Sequence, residues 1–157
     1  MIMKTEQILA RIKIKEDEIS ILKNKLLSNN LKSSSGYIYI PEIKKEVEIE
    51  VHDKNKSYDD LKNIYGDNFE SSLLTKQECA IILKNKEISN ILKMDGSSSN
   101  DDFFIQQFDE ENKKEGYVAV FFVNGGRSGF YSRRISKYAY DFRGVRFCRK
   151  KISGRKK

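Results

Sequence analysis

One stretch constrains this chain more than any other. Tyr117-Val118-Ala119-Val120-Phe121-Phe122-Val123 is an uncharged apolar run of strand length, and Asn124-Gly125-Gly126 follows it. Such a run, rich in β-branched and aromatic residues, predicts a central strand covered on both faces. Asn and Gly tolerate positive φ, so Asn-Gly-Gly predicts a hairpin turn. Residues 129–135 then return as the partner strand. A strand buried on two sides needs other elements packed on each.

The rest of the sequence supplies them. Residues 4–28 read as a helix in which Ile8, Ile12, Ile19, Leu22 and Leu26 recur at heptad spacing, with Lys15 as the one polar seam position. An isolated helix of this length is marginal in water. Its stripe packs on its own domain or on a second copy as a coiled coil, and both readings stand. Residues 31–36 read as a linker. Tyr37-Ile38-Tyr39-Ile40 is strand-like and stops at Pro41, the only proline. Val47-Glu48-Ile49-Glu50-Val51 alternates, which predicts a half-buried strand with its glutamates outward. Glu46, Glu48 and Glu50 then form a solvated face.

Ser57 is placed to cap a helix through Tyr65, ended by Gly66. Thr75-Lys76-Gln77-Glu78 is a capping box, and the helix after it is expected over 76–93, with Ala80, Ile81, Leu83, Ile88, Ile91 and Leu92 on its buried side. A loop over 95–100 ends it. Residues 103–108 and 144–149 read as further strands, with Val145 and Phe147 inward and Arg146 and Cys148 pointing the other way. The fold class is therefore α+β. An N-terminal helix precedes a small mixed or antiparallel sheet domain with two further helices and a β-rich C-terminal half. A single domain is expected over 37–149, and a basic tail over 150–157.

At 157 residues the chain favours one compact domain with a modest core. No apolar run approaches the roughly 18 residues of a membrane span. The start lacks the apolar run of a signal peptide, so a cytoplasmic location and no membrane association are expected. Cys79 and Cys148 then read as free thiols. Two cysteines and the lone His52 do not make a structural metal site, and no cofactor is implied.

Charge is unevenly placed. From Arg127 onward the chain carries twelve basic residues against one acid, Asp141; the remainder holds 18 basic and 22 acidic residues. All arginines but Arg11 lie in that C-terminal stretch. Arginine suits bidentate contacts to phosphate and stacking on aromatic faces. Aromatics interleave with the cations, in Phe130-Tyr131-Ser132-Arg133-Arg134 and in Tyr138-Ala139-Tyr140-Asp141-Phe142-Arg143. The candidate binding residues are Arg127, Tyr131, Arg133, Arg134, Lys137, Tyr138, Arg143, Arg146 and Arg149. Strand alternation would put Tyr131, Arg133 and Ile135 on one face and Phe130, Ser132 and Arg134 on the other. The competing reading makes the aromatics core and the arginines a solvated face.

Three other features carry less. Asn124 to Gly129 could cradle a phosphate, but it lacks the Gly-Lys-Ser/Thr ending of a P-loop and reads as a turn. Asp95, Asp101 and Asp102 do not have the spacing of a calcium loop. His52 beside Asp53 would need Cys148 nearby to act in thiol catalysis, and nothing in the sequence joins them. His52 reads as a surface residue.

Residues 73–150 resemble the C-type-lectin-like group that includes formylglycine-generating-enzyme-like and Lcl C-terminal-type modules. Leu74-Thr75-Lys76-Gln77-Glu78 is similar to their helix entry. Residues 117–125 are similar to their strand and Asn-Gly turn. Gly144-Val145-Arg146-Phe147-Cys148-Arg149 is similar to their closing strand. The chain departs from them in having no tryptophan. The resemblance implies a mixed-sheet scaffold that presents a binding surface, and it implies no catalytic residue.

Together these readings predict a non-catalytic binding protein of phage or mobile-element type. Its Arg- and aromatic-rich C-terminal sheet would bind RNA, DNA or a nucleoprotein enzyme, for example as an anti-CRISPR-like inhibitor of a host defence nuclease. The alternative is a lectin-like recognition module, oligomerised through residues 4–28.

Overall fold

The computed structural model describes residues 4–34, 36–96, 101–124 and 126–150, with side chains apart from those of 23–34 and 124. The fold is α+β. Helix α1 (Thr5–Leu31) leads into strands β1 (Lys32–Ser34), β2 (Tyr37–Ile40) and β3 (Lys45–Glu48). Helices α2 (Tyr58–Tyr65), α3 (Lys76–Lys84) and α4 (Lys86–Ile91) follow. Strand β4 (Asp102–Ile105), helix α5 (Glu110–Lys114) and strands β5 (Val118–Asn124), β6 (Arg127–Arg134), β7 (Arg143–Gly144) and β8 (Cys148–Lys150) complete the chain.

Two four-stranded sheets result. The first has the order β1-β2-β3-β8 and is antiparallel. The second has the order β6-β5-β4-β7, antiparallel except that β7 runs parallel to β4. β5 is central, and both of its faces are covered. Ala119, Phe121 and Val123 join Ile38, Ile40, Ile82 and Leu92 in the larger core. Val118 and Val120 join Leu61, Phe69, Phe104 and Val145 in the smaller one. The uncharged run is explained by that position.

Both N-terminal caps form as their sequences dictate. Ser57 and Asp60 make a reciprocal capping box on α2, and Gly66 ends that helix at φ 79. Thr75 and Glu78 make a second box on α3. The helix expected over 76–93 breaks at Asn85, which adopts φ −93, ψ 98. Its side chain accepts from the Ile88 N–H at 3.2 Å and caps α4. An Asn side chain competes with the helical ladder in this way. α5 was not foreseen; Asp109 caps it by accepting from Asn112 N–H.

The expected linker over 31–36 is replaced in part. α1 continues through Leu31, and Lys32–Ser34 pairs with β2. α1 touches α4, β1 and β2. The loop expected over 95–100 falls largely on 97–100, and the basic tail on 151–157, which lie outside the described residues. Among the described residues no helix is long and apolar enough to cross a membrane.

The largest departure is at the C-terminal strand. It is split between the sheets: β7 pairs with β4, Val145 bridges His52, Phe147 bridges Leu73, and β8 pairs with β3. A segment threaded between two sheets can be covered on both of its sides. Arg146 is accordingly 3% exposed and Cys148 6%, although alternation pointed both outward. Gly144 permits this approach, because a Cβ there would lie 2.2 Å from the His52 carbonyl oxygen.

Candidate functional site

A cleft of about 530 Å³ opens at one end of the second sheet. Its floor is one face of the β5–β6 hairpin. Cross-strand partners share a face, and Phe122 pairs with Gly129, Asn124 with Arg127, and Val120 with Tyr131. Gly129 leaves room for the Phe122 ring, which would meet a Cβ there at 2.7 Å. The ring instead stacks on Tyr131, with centroids 4.6 Å apart at 29°.

An irregularity sets the third cation. Val118 pairs with Arg134 and Val120 with Tyr131, so β6 spends one more residue than β5 over this step. A bulge of this kind returns Arg134 to the face of Tyr131. The alternation expected from sequence is therefore wrong at Arg134. Its guanidinium lies over the Tyr131 ring at 3.8 Å. Arg133 lies over Tyr117 at 5.0 Å and does not line the cleft.

The opposite wall is the loop before β7. Tyr140 and Phe142 project from it with ring centroids 5.3 Å apart. The backbone holds the loop in place: Asn55 N–H donates to Tyr140 O at 3.0 Å, and Asp102 N–H to Phe142 O at 2.8 Å. Ser136 reaches Asp59 at 3.1 Å. Arg143 lies at the back, 4.5 Å from the Tyr140 centroid, with Nη2 3.6 Å from Asp102 Oδ2. Asp102 also accepts from Val123 N–H at 3.0 Å. Burial pushes the Asp102 carboxyl up and the Arg143 guanidinium down, and their mutual attraction opposes both shifts.

Three guanidinium groups and two aromatic pairs thus face one space, against one carboxylate that is already engaged. The Nε atoms of Arg134 and Arg143 are buried with no hydrogen-bond partner. Buried donors of that kind are uncommon and favour an acceptor nearby. The volume is within the range of sites that hold a small ligand or one unit of a polymer.

Of the nine candidate residues, Arg127, Tyr131, Arg134 and Arg143 meet in the cleft. The other five do not. Lys137 lies 5.9 Å from the Tyr138 ring on the exposed loop. Arg149 pairs with Glu46 at 2.8 Å and covers the Tyr37 ring at 3.7 Å, on the first sheet. Arg146 is buried, donates to Ile49 O at 3.0 Å, and lies 4.9 Å from the Phe103 ring. Desolvation lowers its pKa to about 10. Sequence reasoning missed Phe122, Asp102, Tyr140 and Phe142 as lining residues. Phe122 could have been found, since it shares the alternating face of Val118 and Val120.

Of the expected glutamate face only Glu50 is solvated; Glu46 and Glu48 are covered. Glu46 is 3% exposed beneath β8. Glu48 accepts from Phe147 N–H at 2.7 Å and meets His52 Nε2 at 2.6 Å. His52 Nδ1 meets Asp53 at 3.0 Å, and Asp53 also accepts from Tyr65. Both partners of the imidazole are carboxylates, which only accept, so the bridge needs the doubly protonated ring. The hydrogen bond to Glu48 accordingly raises the His52 pKa, against desolvation. His52 is a structural clamp between β3 and the following loop. Burial pushes the Cys148 thiol up to about 11 and pushes the Cys79 thiol up as well, which disfavours the reactive thiolate at neutral pH. Lys54 engages Asp101 at 2.8 Å, and among the described residues no group of His, Cys, Asp or Glu is placed to hold a metal ion.

No family model, curated protein or solved structure matches the chain. The lectin-like resemblance therefore stands on its three sequence motifs alone.

Proposed function

We propose that the chain is a non-catalytic binding protein of the cytoplasm, and that its cleft takes one nucleotide unit of a single-stranded nucleic acid. The observation that carries this reading is the convergence of Arg127, Arg134 and Arg143 with the Phe122–Tyr131 and Tyr140–Phe142 pairs on one cavity. Guanidinium groups neutralise phosphate, and aromatic faces stack on a base only when it is unpaired. A duplex hides its base faces, so the aromatic walls favour a single strand. The two buried thiols suit a reducing compartment.

The test is a fluorescence-anisotropy titration of single-stranded RNA and DNA oligonucleotides across a salt series. Affinity should fall linearly on a log–log plot, with a slope of about −0.7 per phosphate contacted. Arg127→Gln with Arg134→Gln should make the slope shallower by about 1.4 and weaken RNA and DNA alike. Both side chains reach the surface, so the fold is retained. No affinity at low salt, or an unchanged slope in the double variant, would overturn the proposal.

A further inference from the structure

We infer that α1 pairs with α1 of a second copy of the chain as a parallel, in-register two-stranded coiled coil. Ile8, Ile12, Ile19 and Leu22 are 42%, 47%, 50% and 63% exposed, so the chain's own domain does not cover the stripe over residues 8–22. With Ile12 and Ile19 at a, the d positions are Ile8, Lys15 and Leu22. Ser20 takes position b, roughly 130° round the helix from the middle of the seam. Ser20 shares a shallow cavity with Lys86 and Asn90 of α4. Where α1 passes α4 at Ser20, the side turned to its own domain is thus far from the seam, and the seam over residues 8–22 is left for another chain.

The flanking charges choose the partner and its direction. Arg11 and Glu18 take g positions; Glu16 and Lys23 take e positions. In a parallel dimer each g residue meets the e residue five positions on in the partner. Arg11 then faces Glu16, and Glu18 faces Lys23, with every pair opposite in sign. An antiparallel pairing of the same seam sets Glu16 against Glu16, Glu18 against Glu18 and Arg11 against Lys25. All three are like charges. Lys15 fixes the register, since an in-register dimer puts both lysines in one layer, whereas a one-heptad slip buries each against isoleucine or leucine. Ile14 and Ile21 lie at c, outside the seam. Dimerisation is independent of what the cleft binds.

Charge exchange in the full-length chain tests this. Arg11→Glu with Glu18→Lys reverses both g positions, and Glu16→Arg with Lys23→Glu reverses both e positions. Sedimentation equilibrium should give the parent twice its chain mass, and each variant alone the mass of one chain. An equimolar mixture of the two should regain the doubled mass, because every g–e pair is opposite again. Arg11, Glu16 and Glu18 are exposed, and unchanged circular dichroism checks that the domain folds in each variant. Ile14→Asp with Ile21→Asp should leave the doubled mass intact. A monomeric parent, variants that dimerise as the parent does, a mixture that stays monomeric, or loss of the dimer on changing Ile14 and Ile21 would each overturn the inference.

Discussion

Gly144→Ala is the substitution that most directly probes how the two sheets are joined. The added methyl would lie 2.2 Å from the His52 carbonyl oxygen and 3.1 Å from Val51 Cγ1. The clash is with backbone, so no rotamer relieves it. The segment must retreat by about 1 Å, by the sterics of close-packed interiors. That movement breaks the reciprocal bridge in which Val145 N–H donates to His52 O at 2.8 Å and His52 N–H to Val145 O at 3.0 Å. Two hydrogen bonds at about 1 kcal/mol each, plus an overpacking cost of about 1–3 kcal/mol, give about 3–5 kcal/mol. For a chain of this length the melting temperature should fall by about 6–20 °C. Gly116→Ala is the control: φ is 83 and nothing lies within 4 Å, so only the backbone penalty of about 1 kcal/mol applies. Thermal unfolding followed by circular dichroism decides the matter. A Gly144→Ala protein that melts with the Gly116→Ala protein would refute the close approach of β7 to His52.

Three further outcomes are expected. Tyr140→Ala removes a ring that is 37% exposed, so stability should hold while oligonucleotide affinity drops about 5- to 100-fold, the worth of one base stack; unchanged anisotropy curves would remove the loop from the site. The pKa of His52 is higher in the folded chain than in the unfolded one, so its contribution is complete below the unfolded value of about 6.5 and is lost as pH rises through the folded value. The stability advantage of the parent over His52→Gln should be greatest below about pH 6.5 and shrink as the pH rises above it, and a pH-independent difference in melting temperature contradicts the clamp. Arg146→Met replaces a buried cation whose Nε and Nη1 have no partner, so the melting temperature should hold or rise and binding should not change; a large loss of affinity would return Arg146 to the interface.

Local chemistry was legible in the sequence. The β5 run, both capping boxes and the Gly66 stop depend on neighbours a few residues apart, and each formed where its residues stand. What stayed hidden depends on partners far along the chain. Glu46, Glu48 and Arg146 look like solvated charges by alternation, and they are covered only because the C-terminal segment crosses from one sheet to the other. The cleft shows the same division. The basic, aromatic stretch was visible, and Arg127, Tyr131, Arg134 and Arg143 were among its residues. Which of its arginines converge was not visible, because a one-residue bulge turns Arg134 and leaves Arg133 behind. Asn85 shows the reverse case. Its capping chemistry was readable locally, yet the helical pattern on either side masked the break.

The segment from Arg143 to Lys150 also sets an order on biosynthesis. Glu46 and Arg149, which pair in the folded chain, are 103 positions apart. A ribosome must have passed Gly144 before the second sheet has all its described strands, and Lys150 before the first does. Until then the uncharged strand 118–123 lacks part of its covering, since Val145 and Cys148 are not yet in place. Such a nascent chain exposes an aggregation-prone strand during synthesis, and it is the kind of intermediate that chaperones hold. Ribosome pausing just ahead of this segment would therefore lower the yield of folded protein without altering one residue of it.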